Sequence, residues 1–270
     1  MIAITGKNGY IASSLKKYFD ENDIEARCVS VRSEPDENLF DNTDVVIHAA
    51  GIVHNKKADP ALYENVNVKL TEKLAALAKK NGVKHFIFFS TMSVYGLTTG
   101  EINGDTPLLP KNDYGKSKLA AEKILFDMAD GNFKVTVIRP PMVYGKNCPG
   151  NYRSLSKLVK TVKIIPDTEN KRSMIYISNL LGCVGNIVKN GTEGIILPQN
   201  KEYVNTADMC GYIAKYNGKK ILFSKKIGKI VSRLNINAAK KAFGRLYYSK
   251  DIAFLCNDVT FEDSIKFTEK

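Results

Sequence analysis

The 270-residue sequence predicts an α/β fold: a doubly wound parallel sheet over residues 1–150, then a small C-terminal lobe over residues 151–270. Three observations predict it. Short apolar runs alternate with helix-patterned stretches through the first half, as in a parallel sheet covered on both faces. A turn carrying Gly6 and Gly9 separates the first run from the first helical stretch. Past Gly150 the alternation gives way to shorter pieces, which read as a lobe with some later segments packing back on the sheet.

Taken in order, strands are expected at Met1–Thr5, Ala26–Val31, Asp44–Ala49, His85–Ser90 and Lys134–Arg139, and helices at Gly9–Phe19, Ala61–Lys80 and Tyr114–Met128. Leu70, Leu74, Leu77 and Ala78 have the i, i+4, i+7, i+8 spacing of a buried helix face. The segment Arg32–Thr43 is charged and short for the helix and strand that a doubly wound fold often fits there, so that unit is expected to be trimmed. In the lobe, the pattern predicts a helix near Tyr152–Val162, a strand Met174–Ile177, a helix Ser178–Lys189 and a strand Ile195–Leu197.

Hydrophobic content of 44% is enough for a folded core and excludes a disordered chain. The opening Met-Ile-Ala-Ile-Thr-Gly has no basic start and does not read as a signal peptide. No apolar run approaches the roughly 18 residues of a membrane span. Cys28, Cys148, Cys183, Cys210 and Cys256 are widely spaced and odd in number, which suits reduced buried thiols; a cytoplasmic location is expected. His54 and His85 have no ligand-type partners at metal-binding spacing and read as structural, so no metal is expected. The formal charge of +12 sits almost wholly in residues 151–270, which hold 21 Lys/Arg against 10 Asp/Glu. That half suits an anionic ligand or surface.

The chemistry-bearing motifs start at Thr5-Gly6-Lys7-Asn8-Gly9-Tyr10-Ile11-Ala12. Gly6 permits a tight turn, Gly9 lets backbone approach a pyrophosphate, and the helix that follows offers unpaired N–H groups to the anion. Tyr114 and Lys118, four apart, share a helix face. An ammonium beside a phenol favours phenolate, as a proton-transferring tyrosine needs. Ser90-Thr91-Met92-Ser93-Val94-Tyr95-Gly96 closes the preceding strand, where a hydroxyl can bond the oxygen that the tyrosine protonates.

With His48-Ala49-Ala50-Gly51, Asn67-Val68 and Arg139-Pro140-Pro141-Met142-Val143-Tyr144-Gly145, these motifs fall in the order seen in extended short-chain dehydrogenases, the NAD-dependent epimerase/dehydratase family. The resemblance runs from residue 1 to about 181, including Lys171-Arg172-Ser173, and is weak from Gly182 onward. It implies a Rossmann-type sheet with a substrate-binding lobe, and an NAD(P)-dependent enzyme acting at C4 of a nucleotide sugar, with UDP as the nucleotide. Tyr114 resembles the family's acid/base, Lys118 its ribose-binding partner and Thr91 its catalytic hydroxyl, with Ser90 and Ser93 as substitutes. Gly6, Asn8, Gly9, Tyr10 and Ile11 match the dinucleotide loop. Ala49, Ala50 and Gly51 match the adenosine side, Asn67 is a further cofactor-binding position, and Pro140 and Pro141 match the nicotinamide side. Ser93, Asn151 and Arg172 fall at substrate positions, the last two at the diphosphate.

Two departures matter. Family dehydratases carry Asp-Glu after the catalytic threonine; Met92 and Ser93 stand there, which disfavours dehydration. Arg32 follows the second strand where an acidic residue would hold a ribose 2′-hydroxyl, so NADP is expected over NAD. A 4-epimerase and an NADPH-dependent 4-ketoreductase stay open, as does a silent NAD(P)-binding sensor, against which the intact Thr91, Tyr114 and Lys118 set argues. A homodimer is left open and nucleic acid is not expected. The stretch Asn217–Lys250, with ten basic residues and no acidic one among Ile, Leu, Phe and Tyr, reads as a solvated face, or more sharply as a weak peripheral contact with anionic lipid.

Overall fold

The computed structural model describes residues 1–53, 59–233, 241–256 and 259–270. His54 and residues 234–240 of the basic stretch lie outside the described residues. The chain forms two compact units: Met1–Gly96 with Pro107–Pro140 and Cys183–Ile196, and Leu97–Thr106 with Pro141–Gly182 and Leu197–Lys270.

In the first unit, the apolar runs become β1 (Ile2–Thr5), β2 (Ala26–Val29), β3 (Val45–His48), β4 (His85–Phe89), β5 (Lys134–Ile138) and β6 (Gly194–Ile196). They form one sheet in the order β6-β5-β4-β3-β1-β2, every pairing parallel. The chain leaves β1 toward β2, then crosses back to place β3 on the other side of β1. The carboxyl ends of β1 and β3 therefore flank the switch point, where ligands of such sheets bind. The expected Ile195–Leu197 strand is the edge strand β6, shifted by one residue.

The trimmed unit is observed. No helix or strand occupies residues 30–44, and β2 is an edge of the sheet. Phe40, fully buried, enters the core with Val31 and Leu39 packed nearby. Apolar burial by one aromatic side chain thus does part of the covering that a helix does elsewhere.

The helices are α1 (Tyr10–Glu21), α2 (Pro60–Tyr63), α3 (Leu70–Lys80) and α4 (Asp113–Met128). A π-helical stretch, Glu64–Lys69, joins α2 to α3, so the expected single helix is continuous but widened near its start. Leu74 and Ala78 are fully buried, and Leu70 and Leu77 pack against the same core. Helix α4 starts under Asn112, whose Oδ1 accepts the Gly115 N–H at 2.7 Å; such a cap is worth about 1 kcal/mol.

The second unit is built from three-residue parallel ladders: Met142–Tyr144 with Met174–Tyr176, Ile164–Pro166 with Leu222–Ser224, Gly100–Ile102 with Leu246–Tyr248, and Pro198–Asn200 with Phe254–Cys256. Around Tyr144, buried rings take the place of a long sheet. It stacks on Tyr152 with centroids 5.5 Å apart, and its hydroxyl meets Ser264 Oγ at 2.7 Å and accepts from Asn200 Nδ2 at 3.0 Å. All five cysteines are free thiols, four of them buried. Among the described residues no helix is long and apolar enough to cross a membrane.

Candidate active site

The loop after β1 has the shape its glycines predict. Gly6 sits at φ +91°, and a Cβ there would lie 3.1 Å from the Ala50 backbone, so the loops after β1 and β3 abut without room for a side chain. Gly9 donates to the Gly6 carbonyl at 2.7 Å and caps α1 with no side-chain hydrogen bond and no acidic residue in the first turn. The N–H groups of that turn are left to an anion, which the helix dipole favours. Asn8 is exposed in the loop, and Tyr10 and Ile11 are half-buried at the start of the helix.

A buried polar chain ties these loops together. Thr71 Oγ1 donates to the Asn67 carbonyl at 2.9 Å, so it accepts from His48 Nε2–H, also at 2.9 Å. His48 Nδ1 then accepts from Thr5 Oγ1 at 2.7 Å, and Thr5 Oγ1 accepts the Ala50 N–H at 3.3 Å. Burial pushes the imidazole down to about 3, which keeps it neutral. No spacing in the sequence marks His48, Thr5 or Thr71 for this role.

At the ends of β4 and α4 the expected trio is brought together. Thr91 Oγ1 accepts the Ser93 N–H at 3.1 Å, lies 3.2 Å from Ser93 Oγ, and is hydrogen-bonded to the Tyr114 phenol. Lys118 Nζ, buried, donates to the Phe89 carbonyl at 2.9 Å and stands 4.5 Å from the centre of the Phe88 ring. A Cβ on Gly51 would lie 3.0 Å from Asn67 Oδ1 and 3.2 Å from Lys118 Nζ. Asn67 itself braces the Ile52 backbone through both amide atoms and donates to Ser117 Oγ at 3.1 Å. Pro140 closes the group, its carbonyl accepting the Met92 N–H at 3.0 Å.

The electrostatics correct one expectation. Lys118 was expected to lower the Tyr114 pKa, yet burial raises the phenol to about 12, outweighing the opposing Thr91 hydrogen bond. Burial also lowers Lys118 to about 8, against the pull of Glu122, so it stays cationic at pH 7. In the protein alone Tyr114 is a protonated phenol, ready as an acid. Ser90 is also corrected as a substitute hydroxyl, for it bonds the buried Glu122 carboxylate instead.

Glu122 is bound in fork geometry by Arg139, with Nη2–Oε2 at 2.6 Å and Nε–Oε1 at 3.1 Å, while Arg139 Nη1 donates to Tyr95 at 2.9 Å. This pair locks α4, β5 and the Tyr95 turn to one another. Gly115 completes the approach: a Cβ there would meet the Ser93 carbonyl at 2.8 Å.

The profile of the NAD dependent epimerase/dehydratase family matches residues 2–195. The chain belongs to that family. It is an NAD(P)-dependent enzyme of the short-chain dehydrogenase type, and its known relatives include UDP-glucose 4-epimerases. The UDP-glucose 4-epimerase of Vibrio cholerae is 33% identical over 234 residues, 78% of this chain and 70% of that protein. The N-acetyl-α-D-glucosaminyl-diphospho-ditrans,octacis-undecaprenol 4-epimerase of Escherichia coli O157:H7 is 33% identical over 156 residues, 56% of this chain and 47% of that protein. In fold, the UDP-glucuronic acid 4-epimerase of Bacillus cereus solved with NAD superposes with a TM-score of 0.77 at 19% identity, covering 99% of this chain and 97% of that one.

The remaining expected positions in this epimerase/dehydratase-family protein lie as follows. Arg32 is exposed in the bend after β2, and Ala49 is half-buried behind β3. In the second unit, Pro141 is buried and Asn151 is the exposed first residue of the helix Asn151–Thr161. Arg172 donates to the Gly244 carbonyl at 3.0 Å, and burial alone lowers its pKa. A guanidinium desolvated in this way is stabilised by a bound anion.

Proposed function

We propose that the protein is a 4-epimerase of a nucleotide sugar, with UDP as the nucleotide. The observation that carries the reading is the buried Thr91–Tyr114 hydrogen bond, with the buried Lys118 one turn further along the same helix, at the carboxyl ends of a family-matched sheet. The residues fit a dinucleotide. Gly6, Asn8, Gly9, Tyr10 and Ile11 would hold its pyrophosphate at the uncapped start of α1. Ala49, Ala50 and Gly51, braced by Asn67, would line the adenosine side, with Lys118 and Tyr114 at the nicotinamide ribose and Pro140 and Pro141 beside the nicotinamide. A bound NAD(P) supplies the acceptor and donor of hydride at C4.

Once the phenol has given up its own proton to water, Tyr114 as phenolate would take the proton of the 4-hydroxyl as C4 is oxidised and return it to the 4-oxygen on reduction, while Thr91 and Ser93 hold that oxygen. Lys118 orients the ribose and favours the phenolate during the oxidative half. Asn151 and Arg172 would hold the diphosphate. The missing Asp-Glu after Thr91 argues against dehydration. The diphosphate contacts serve a lipid-linked sugar diphosphate equally well, and one relative's substrate, by its name, is of that kind. Arg32 favours NADP over NAD as the bound dinucleotide.

The test is incubation of the protein with C4-epimeric pairs of UDP-sugars and, separately, a polyprenyl-diphospho sugar, read by NMR. The expected result is approach to a mixture of both epimers with no net consumption of dinucleotide. Stoichiometric NADPH oxidation would instead assign a 4-ketoreductase. No turnover with bound dinucleotide would leave the silent sensor.

A further inference from the structure

In the second unit, Ile164 and Leu222 are register partners on a short parallel ladder, so their side chains share a face. Both are largely exposed, at 48% and 68%, and Phe223 beside them is 45% exposed. The helix Lys225–Arg233 follows at once. Its inward side is set by Gly228, which has no room for a Cβ against the Asp167 carbonyl. At about 100° per residue, Lys226, Ile230 and Arg233 then point away from that contact. Ile227 and Ile230, three apart, form an apolar stripe next to the Lys226 and Arg233 row, with 37% and 58% of their surfaces exposed.

Five large apolar side chains thus stand in water on one strand pair and the helix that follows. They are interleaved with Lys219, Lys220, Lys225, Lys226 and Arg233, and residues 217–250 contain no Asp or Glu. Exposed apolar clusters of this kind mark interaction surfaces. Cations alone would suit a polyanion such as nucleic acid, but that partner leaves isoleucine and leucine in solvent. An anionic bilayer answers both: its headgroups attract the cations and its acyl boundary receives the apolar stripe.

We propose that Leu222–Arg233 is a peripheral docking surface for an anionic membrane. The inference does not rest on the sugar reaction. With no spanning helix among the described residues, binding is reversible and screened by salt.

The test is co-sedimentation of the full chain with phosphatidylcholine vesicles, with and without phosphatidylglycerol, at low and high salt. The wild type is expected to pellet with the anionic vesicles at low salt only. Ile227→Ser/Ile230→Ser and Lys225→Gln/Lys226→Gln, all outward or exposed changes, should each weaken binding by about tenfold. Lys123→Gln, exposed in the first unit, should leave it intact, as circular dichroism should leave every variant folded. Failure to pellet with anionic vesicles at low salt would overturn the proposal, as would unchanged binding in both double variants. Binding to duplex DNA that the isoleucine variant leaves unaltered, without vesicle binding, would assign the surface to nucleic acid instead.

Discussion

Tyr114, packed against Tyr63 and hydrogen-bonded to Thr91, carries the proposed proton transfer. Its spacing from Lys118 suggests an activated phenol, yet desolvation outweighs the neighbouring dipoles and holds the phenol near 12. Tyr114→Phe removes the proton path while keeping the buried ring against Tyr63. It should lower kcat by at least about 100-fold and leave dinucleotide affinity nearly unchanged; paired turnover and calorimetric measurements check both. Arg32, exposed behind β2, touches only the choice of cofactor in this account. Arg32→Ala should weaken NADP binding while sparing NAD, and an unchanged ratio in calorimetric titration would remove Arg32 from the site.

Helix α4 and the turn after β4 must approach closely for Thr91 to reach Tyr114, and Gly115 is what permits the approach. Gly115→Ala sets a methyl group against the Ser93 carbonyl in a helix that would otherwise favour alanine. It should therefore lower the thermal midpoint, because backbone must shift to admit the methyl, and cost at least about tenfold in kcat, since small misplacements of reacting groups are expensive. Elements of this size were legible in the sequence where apolar alternation and glycine turns agreed: β1 to β5, α1, α4 and the trimmed segment after β2. The polar chain through Thr5, His48 and Thr71 was not, because its members lie 43 and 23 residues apart; the β1–β3 register pairs Thr5 with His48, and Thr71 reaches His48 from α3. The Glu122–Arg139 pair was hidden for the same reason. The second unit's three-residue ladders carry too few residues for a period to show.

For the whole molecule, two neutral buried histidines contribute to the loss of stability in acid. His48 titrates at about 3 and His85 at about 4 in the folded chain, both below the ordinary 6.5, and burial is the leading cause for each. The unfolded chain binds more protons between those values and 6.5. The stability they contribute is complete above pH 6.5 and is lost as pH falls toward 4. Chemical denaturation across pH 7 to 4 should show that decline, and His48→Asn should flatten it from a lower starting stability. A wild-type profile flat over that range would contradict the buried neutral ring.

The proposed function carries one chemical claim: that hydride leaves C4 of a diphospho-sugar and comes back to the same carbon while Tyr114 handles the proton. Turnover of a UDP-sugar deuterated at C4, followed by NMR of the epimer, tests it most directly. Deuterium should be retained at C4 of the product with no solvent hydrogen entering there, and Tyr114→Phe should form no epimer. Product carrying solvent hydrogen at C4, or epimer formed at the wild-type rate by Tyr114→Phe, would contradict it.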